Sequence, residues 1–324
     1  MTIVGRLLTR NSQMLSMGFA FLAALLPPFA VITRSQDDGS RQIVLDQFTR
    51  ARPVATSAKA QPPRTGSRRK PPASAVAKAP RYVRKTPSVI AKLQPGSATM
   101  DIGVTIWRLR PSEEIDGGAR MLVMENTRTT QWTPQRIEAD TPLQVGERVR
   151  LTVESPRAGY LYVIDREQYA DGSFGDPFLI FPTLRTRGGD NQVRPGRLID
   201  IPAQEDNPSY FTLVPSASRS DQVAEVLSII VTPQPLEDLR ITDRPLKLSR
   251  SDVAKWEKAW SNEVERFEMV GGAGTPWSKV EMEASAAVSA RVLTQEEPAP
   301  QTIYRVGSRS KNTFLVTVAL RYGK

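Results

Sequence analysis

Short β-strands separated by turns account for residues 145–202, and this stretch limits the fold more than any other part of the chain. Val149, Leu151 and Val153 alternate with polar residues, which is the period-two pattern of a strand with one buried face. The next strand, GYLYVI, begins at Gly159 and is apolar or aromatic on both faces, as expected of a central strand covered on each side. The residues of the first strand that we expect to face solvent are Arg148, Arg150, Thr152 and Glu154.

A turn, ADGSFGDP, follows the central strand and leads into the extended segment PFLIFP. Gly172 and Gly175 are expected to adopt positive φ angles, and Asp171 and Asp176 are expected to form side-chain-to-backbone bonds within the turn. The pattern therefore predicts a β-sheet core whose strands are joined by tight turns. This pattern describes a structural core and does not indicate any catalytic chemistry.

Further strands precede and follow this core stretch. Ile102, Val104 and Ile106 share one face of a predicted strand, and ARMLVM gives another. Pro134 and Pro142 lack the backbone N–H of a ladder, so the segment that contains them is expected to be an edge or connecting piece. RLIDIP, SYFTLVP and AEVLSIIVTP complete a series of strands at the spacing of an all-β fold. We therefore predict an immunoglobulin-like antiparallel β-sandwich.

Beyond residue 235 the apolar period changes from two to about 3.6, which indicates one or two C-terminal helices packed on the sandwich. A first helix is expected to begin at Ser249 or Ser251, and a weaker second helix is expected from 277 to about 293. QTIYRVG and TFLVTVALRY then predict a β-hairpin, which completes a helix-helix-hairpin extension over 236–324. The apolar stripe of the first helix comprises Val253, Trp256, Trp260, Val264 and Phe267.

The first 98 residues differ in character from the rest. Residues 1–35 combine a basic start with an apolar run and are predicted to be a signal peptide cut before Gln36, or an uncleaved membrane anchor. Residues 36–98 are rich in Pro, Ala, Arg and Lys and predict a disordered linker, so the folded unit is expected to span 99–324. Residues 50–92 contain 12 Lys and Arg and no acidic residue, whereas the remainder of the chain has 32 basic and 34 acidic residues. The net charge of +10 therefore belongs to the linker.

The chain contains neither cysteine nor histidine. This absence excludes zinc sites built from these residues, thiol nucleophiles, Ser-His-Asp triads, and haem or iron–sulfur ligation through His or Cys. An enzyme of this composition would need a carboxylate pair, a Ser-Lys dyad, or a Tyr or Lys base. We expect no cofactor and no metal.

Two loops that leave the core stretch carry the candidate binding residues, and we expect them to converge. The acidic residues of the first are Asp165, Glu167, Asp171 and Asp176. Paired carboxylates can act as acid and base or as hard oxygen ligands, although these residues also suit a hairpin turn. The second loop, RTRGGDNQVRPGR, either binds carboxylate or phosphate groups through its guanidiniums or is a solvated loop. The full candidate set is Tyr160, Tyr162, Asp165, Asp171, Asp176, Arg185, Arg187, Arg194 and Arg197.

The order and spacing of several motifs resemble a bacterial family known as domain of unknown function 4384. The motifs are GERVRLTVES, GYLYVID, the Asp171-Gly172 turn, LIFPT, IPA and AEVLSIIVTP, so the resemblance covers about 137–232. The longer pattern from IGVTIWRLRP through ERFEMVGGAG to LRYG resembles exported proteins of acidobacterial type that carry this domain. The resemblance implies no assigned activity. It implies an accessory module, which in other chains is attached to caspase-like peptidases or Ser/Thr kinases.

These observations favour a non-enzymatic, exported binding or accessory module that acts through the loops of a β-sandwich in the periplasm or cell envelope. The expected partner is an unknown protein or an envelope polymer, and the membrane is reached only through the N-terminal segment. One alternative is a hydrolase that uses Asp165, Asp171 or Asp176. Another is polyanion binding by the basic linker, in which residues 50–92 contact an anionic surface. Nucleic acid is not an expected partner of an exported protein.

Overall fold

Strands dominate the fold and form two antiparallel sheets in a computed structural model of the protein. The structure describes residues 44–55, 80–85, 99–125, 128–217, 219–237, 239–260, 263–307 and 313–323, all of which belong to one compact unit. The prediction of a mainly β fold is confirmed. The immunoglobulin-like topology stays a prediction.

The chain passes repeatedly between the two sheets. The helices are α1 (residues 44–50), α2 (Arg250–Trp260) and α3 (Lys279–Ser285). The strands of the first sheet are β1 (Tyr82–Arg84), β2 (Thr99–Pro111), β3 (Met121–Glu125), β4 (Arg128–Ile137), β5 (Arg148–Glu154), β9 (Leu198–Ile201), β10 (Phe211–Thr212), β13 (Val264–Met269) and β14 (Thr302–Gly307). The strands of the second sheet are β6 (Gly159–Tyr169), β7 (Phe178–Phe181), β8 (Gln192–Val193), β11 (Gln222–Thr232), β12 (Leu246–Lys247) and β15 (Phe314–Arg321).

Strand β2 is the centre of the first sheet. It pairs with β5 along one edge, and with both β14 and β4 along the other. Strands β13 and β1 extend the sheet beyond β14, β3 extends it beyond β4, and β9 and β10 pair with the far edge of β5. The second sheet has the order β12-β7-β6-β11-β15, with β8 beside the start of β6.

The two sheets share one apolar core. Leu151 and Val153 of β5 and Val104 of β2 pack in the same buried cluster as Leu161 and Val163 of β6. The predicted burial of alternate residues in β5 and in the C-terminal strand is confirmed. The residues of that last strand and its end that reach this core are Phe314, Val316, Val318, Leu320 and Tyr322.

The second face of β5 is buried as well, and the prediction that it faces solvent is wrong. Arg150 is 0% exposed, and its Nη2 donates to Asp200 Oδ2 at 2.7 Å. Glu154 is 2% exposed and accepts two hydrogen bonds of 2.7 Å from the guanidinium of Arg52. The cover comes from residues far away in the chain, including Trp277, whose ring centroid lies 5.1 Å from the Arg150 guanidinium carbon. A local period-two pattern does not reveal such a second layer.

The folded unit begins earlier than residue 99, because two pieces of the predicted linker pack on the first sheet. Phe48 of α1 is 1% exposed and lies in an apolar cluster with Phe267 and Ile303. Strand β1 pairs with the edge of β13. Residues 36–43, 56–79 and 86–98 of the predicted linker and the predicted signal segment lie outside the described residues, and the predicted disorder and export function stay predictions.

The C-terminal region departs from the predicted helix-helix-hairpin arrangement. Helix α2 ends at Trp260, and Val264 and Phe267 of the predicted stripe lie in β13. Helix α3 is shorter than predicted and ends at Ser285. Strands β14 and β15 do not form a hairpin, because β14 pairs with β2 in the first sheet and β15 pairs with β11 in the second.

Pro134 lies inside strand β4, between β2 and β3, so the prediction of an edge or connecting segment is wrong for this residue, whereas Pro142 does lie in the connection between β4 and β5. Its carbonyl accepts a hydrogen bond of 3.1 Å from the backbone N–H of Trp277. The N and C=O of one strand residue lie on the same side, so the missing N–H faces the 275–277 segment. The ladder between β2 and β4 therefore loses no hydrogen bond at this proline.

Replacement of Arg52 tests whether the N-terminal segment stabilises the sandwich. Arg52→Ala leaves Glu154 buried without its partner, so we expect the free energy of unfolding in urea to fall by about 3–5 kcal/mol. Arg50→Ala, at an exposed position of the same segment, should change it by less than about 0.5 kcal/mol. Similar small effects of both substitutions would contradict a structural role for the segment.

Candidate functional site

Two cavities lie at opposite ends of strand β6. An acidic cavity of about 490 Å³ lies where the strand ends, and an arginine pocket of about 420 Å³ lies beside its start, next to β8. At about 3.3 Å per residue, Gly159 and Tyr169 are roughly 30 Å apart. The predicted convergence of the acidic and arginine loops is therefore wrong, because each loop belongs to a different end of the strand.

Four carboxyl groups line the acidic cavity, and three of them, those of Asp165, Glu167 and Glu225, come from the adjacent strands β6 and β11. Asp165 and Glu167 are two residues apart on β6 and share the face that carries Leu161 and Val163 in the core. Glu225 of β11 is directly opposite Glu167 in the ladder. The cavity is thus the end of the sandwich core, where acidic side chains replace the apolar ones.

Asp165 is the most strongly perturbed of these groups. Its Oδ1 is buried and has no hydrogen-bond partner among the described residues. Burial, together with the charge of Glu225, raises the pKa of Asp165 to about 8. At neutral pH this carboxyl group is largely protonated.

Glu225 is held more firmly, although burial also raises its pKa. Its Oε1 accepts hydrogen bonds from Gln222 Nε2 at 2.8 Å and from the Tyr322 hydroxyl at 3.2 Å. Both donors favour the ionised form and oppose the effect of burial. The cavity therefore combines a carboxyl group whose Oδ1 is unpaired with a second carboxyl group that is oriented by two donors.

The turn between β6 and β7 forms one wall of the cavity. Glu167 accepts a hydrogen bond from the Tyr169 hydroxyl, which raises the pKa of Tyr169. A Cβ atom on Gly175 would lie 2.8 Å from Glu167 Oε2 and 3.2 Å from Glu167 Cβ, so a larger residue here would displace the Glu167 side chain. The prediction of a positive φ angle is confirmed for Gly172, at 81°, and is wrong for Gly175.

Asp171 and Asp176 lie at the exposed edge of this region and are paired with donors. Asp171 accepts from the backbone N–H and the hydroxyl of Ser173 at 2.9 and 2.6 Å, which confirms its predicted role in the turn. These bonds, together with Arg219, lower the pKa of Asp171 to about 2. Asp176 instead binds the side chains of Lys247 and Arg250, which lower its pKa, and its predicted turn bond is not formed. Neither residue forms a carboxylate pair with Asp165.

Tyr160 and Tyr162 belong to the opposite face of β6. Tyr162 is 3% exposed and lies in the cluster that includes Val253 of α2, with Tyr160 packed against it. The Tyr162 hydroxyl accepts a hydrogen bond of 2.8 Å from the backbone N–H of Leu236. These two tyrosines therefore support the core and line neither cavity.

The four candidate arginines separate into two groups. Arg187, Arg194 and Arg197 line the arginine pocket. Arg185 points to a different groove, where its Nη2 donates to the carbonyl of Asn207 at 3.0 Å. Arg197 is buried and donates to backbone carbonyls of the segment after α3, so its role includes holding that segment in place.

The described residues place no group of three or more Asp and Glu side chains so that they could hold a metal ion. Within the same described ranges, no helix is long and apolar enough to cross a membrane.

No family model, no curated protein and no solved structure matches the chain. The resemblance to domain of unknown function 4384 therefore stays a prediction. The site must be interpreted from its own geometry.

Glu225 is the functional candidate that the sequence reasoning missed. It occurs in AEVLSIIVTP, where Leu227, Ile229 and Val231 alternate on the core face. A glutamate in phase with these apolar residues breaks the pattern of a buried face. That break in the pattern was a usable signal, whereas its pairing with Glu167 depends on the strand register.

The stability of Asp165→Asn tests the buried carboxyl group. The folded protein holds the Asp165 proton up to a pKa of about 8, whereas the ordinary value is 3.8, so wild-type stability should decline as pH rises from about 4 to about 8. Asp165→Asn removes this decline. We expect the variant to gain on the order of 1–3 kcal/mol over wild type at pH 8, and little at pH 4, in thermal denaturation.

Asp176→Asn is the matched control, because the lowered pKa of Asp176 means that its ionised form stabilises the folded protein, the opposite of the effect at Asp165. This substitution should bring no gain in stability at pH 8. An Asp165→Asn protein that is less stable than wild type at pH 8 would show that the carboxyl group has a favourable partner.

Proposed function

We propose that the protein is a non-enzymatic binding module whose acidic cavity accepts an organic cation, either a primary ammonium or a guanidinium group. The observation that carries this proposal is the buried Oδ1 of Asp165, which has no partner among the described residues and belongs to a residue that lines the cavity. Unsatisfied buried acceptors are rare in folded proteins, since each costs the free energy of its lost hydration. A ligand with N–H donors removes that cost.

The charges around the cavity favour a cation over an anion. Three guanidinium groups line it, but each is paired with carboxylates: Arg166 with Glu257, Arg219 with Asp171 and Asp221, and Arg250 with Asp176. The carboxyl groups of Asp165, Glu167 and Glu225 lie deeper, at the end of the core. A charge-assisted bond in such a desolvated place is stronger than the same bond in water.

Proton release accompanies binding in this proposal. A bound cation favours the ionised form of Asp165 and lowers its raised pKa, so the ligand displaces a proton. Affinity for the cation therefore increases with pH until Asp165 is ionised in the free protein. The site binds weakly in acid and tightly in mild base.

The proposal also includes the cellular location of the protein. We infer that residues 1–35 export the chain, that residues 56–79 and 86–98 space the module from the envelope, and that an immunoglobulin-like sandwich presents the cavity to a partner. The partner would be an envelope polymer or protein with exposed amino or guanidino groups. Polyanion binding by the basic segment would be an additional contact.

A carboxylate-dependent hydrolase is the second candidate, and the raised pKa of Asp165 favours it. Asp165, with its raised pKa, and a second carboxyl group in the same cavity have the composition of a general acid and base pair. The pairing of Asp171 and Asp176 with cations removes those two residues from this role. The second carboxylate would then be Glu167 or Glu225.

Calorimetric titration with butylamine and butylguanidine tests the cation site. Both probes should bind more tightly at pH 8.5 than at pH 6, and uncharged butanol should not bind. Asp165→Asn and Glu225→Gln should each weaken binding by about tenfold or more, the usual loss for one charge-assisted hydrogen bond. Asp252→Asn, on α2 and outside the residues that line the cavity, should bind like wild type. Equal affinity of wild type and Asp165→Asn would refute the proposal.

Fractionation of the native host with N-terminal sequencing tests the proposed export. A protein in the periplasm or outside the cell that begins near Gln36 is the expected result. A cytoplasmic protein that retains Met1 would contradict export, and a membrane-bound protein with Met1 would indicate an anchor.

A further inference from the structure

The arginine pocket lies at the other end of β6 and shares no lining residue with the acidic cavity. Its walls come from the tight turn at Arg187–Gly189, from β8 and the residues that follow it, and from Ala287 and Ser289 after α3. Three guanidinium groups and one carboxylate, Asp190, are the charged groups that line it. The pocket therefore carries an excess of two positive charges.

Arg187 has donors that nothing in the described residues satisfies. Its side chain is 7% exposed, and both Nε and Nη1 are buried without a hydrogen-bond partner. Only Nη2 makes an ion pair, with Asp190 Oδ2 at 3.3 Å. Buried charged donors are costly when unpaired, and the Nε and Nη atoms of arginine suit the two oxygens of an oxyanion.

The backbone holds Arg187 in a conformation that is unfavourable for a side chain. Its φ angle is 54°, the left-handed region, and it is the only such non-glycine residue among the described ones. Gly188 and Gly189 continue the turn with φ angles of 64° and 88°. Strained positions of this kind persist where the surrounding structure requires them, often at ligand sites.

The neighbouring guanidiniums repel one another. Burial lowers the pKa of Arg197, and the charges of Arg187 and Arg194 lower it further. Arg197 is fixed by its bonds to the carbonyls of Ala286 and Ala287, at 2.7 and 3.1 Å, so it cannot turn away. Asp190 relieves little of this repulsion, since its side chain is 52% exposed and its Oδ1 accepts from the backbone N–H of Gln192.

We propose that the arginine pocket binds a dianionic tetrahedral oxyanion, a phosphate or sulfate group that is either free or part of a larger ligand. The two negative charges match the excess of two positive charges, and the oxygens supply acceptors for Arg187 Nε and Nη1. Arg187 and Arg194 bind the anion, and Arg197 positions the wall of the pocket. This site is independent of the cation site.

Calorimetry and thermal denaturation with inorganic phosphate test the proposal, with glycerol 3-phosphate, sulfate and acetate as parallel probes. Phosphate and sulfate should bind and raise the melting temperature of the full chain, and acetate should have little effect. Binding of glycerol 3-phosphate as well as phosphate indicates an esterified ligand, whereas loss of binding with the ester indicates the free ion. No binding of any dianion, or equal binding of acetate, would overturn the proposal.

Arg187→Gly separates loss of binding from loss of folding, because glycine adopts the φ angle of 54° without strain. Its affinity for phosphate should fall about tenfold or more, while its melting temperature without phosphate stays equal or rises. Arg185→Gln is the matched control from the same loop and should bind phosphate like wild type. An unchanged affinity in Arg187→Gly, or an equal loss in Arg185→Gln, would contradict the assignment.

Asp190→Asn is expected to change the affinity for phosphate in the opposite direction. The amide keeps the Oδ1 acceptor for the Gln192 N–H but removes the one carboxylate that lines the pocket. Phosphate should therefore bind this variant more tightly than wild type. Weaker binding would show that Asp190 organises the site and would overturn the electrostatic account.

Discussion

Burial of β6 on both faces is the constraint on which the arrangement of the sites depends. Leu161 and Val163 pack into the core between the sheets, while Tyr162 and Ile164 are covered by the cluster that includes α2. No ionisable side chain is tolerated in this middle section without a partner, because burial of an unpaired charge is costly. The two cavities consequently lie at the ends of the strand, and the first residue beyond the apolar section is Asp165.

In the first sheet, by contrast, the buried charged residues of β5 form ion pairs. Arg150 pairs with Asp200, and Glu154 pairs with Arg52, so each of these two buried charges on β5 has a partner of opposite charge within the protein. Such pairs contribute little net stability compared with apolar residues, but the loss of one partner is strongly destabilising. The contrast makes Asp165 informative, since its buried Oδ1 lacks a partner of the kind that Asp200 and Arg52 supply to Arg150 and Glu154.

Local pattern was sufficient to predict β5, β6, β11 and β15, because alternation of apolar residues is a property of each strand alone. It was not sufficient for features that arise when distant segments meet. In the sequence, Arg150 and Glu154 have the pattern of solvent-facing residues. Only the tertiary structure places Asp200 next to Arg150 and Arg52 next to Glu154. β14 and β15 likewise belong to different sheets, because β14 pairs with β2 and β15 pairs with β11. The sequence of a short segment does not determine which sheet a strand joins.

The candidate sites were predicted in part for the same reason. Asp165 and Arg187 could be identified as polar residues near a buried strand, although the prediction that Asp165 belongs to a loop is wrong, because it lies within β6. Glu225 joins the acidic cavity only through the register of β11 with β6. The expected meeting of the two loops was wrong, because β7 and β8 return the chain to the start of β6. The end of β6 at which each loop lies determines which charged residues become neighbours, and composition does not give this information.

The most direct measurement is an NMR titration of the Asp165 side-chain carboxyl carbon, with and without saturating butylamine. The account predicts a pKa of about 8 in the free protein, caused by burial and by Glu225, and a clear decrease when the amine is bound. A carboxyl group that titrates near the ordinary value of 3.8 and does not respond to the amine would contradict the buried, unpaired acceptor on which the proposed function rests.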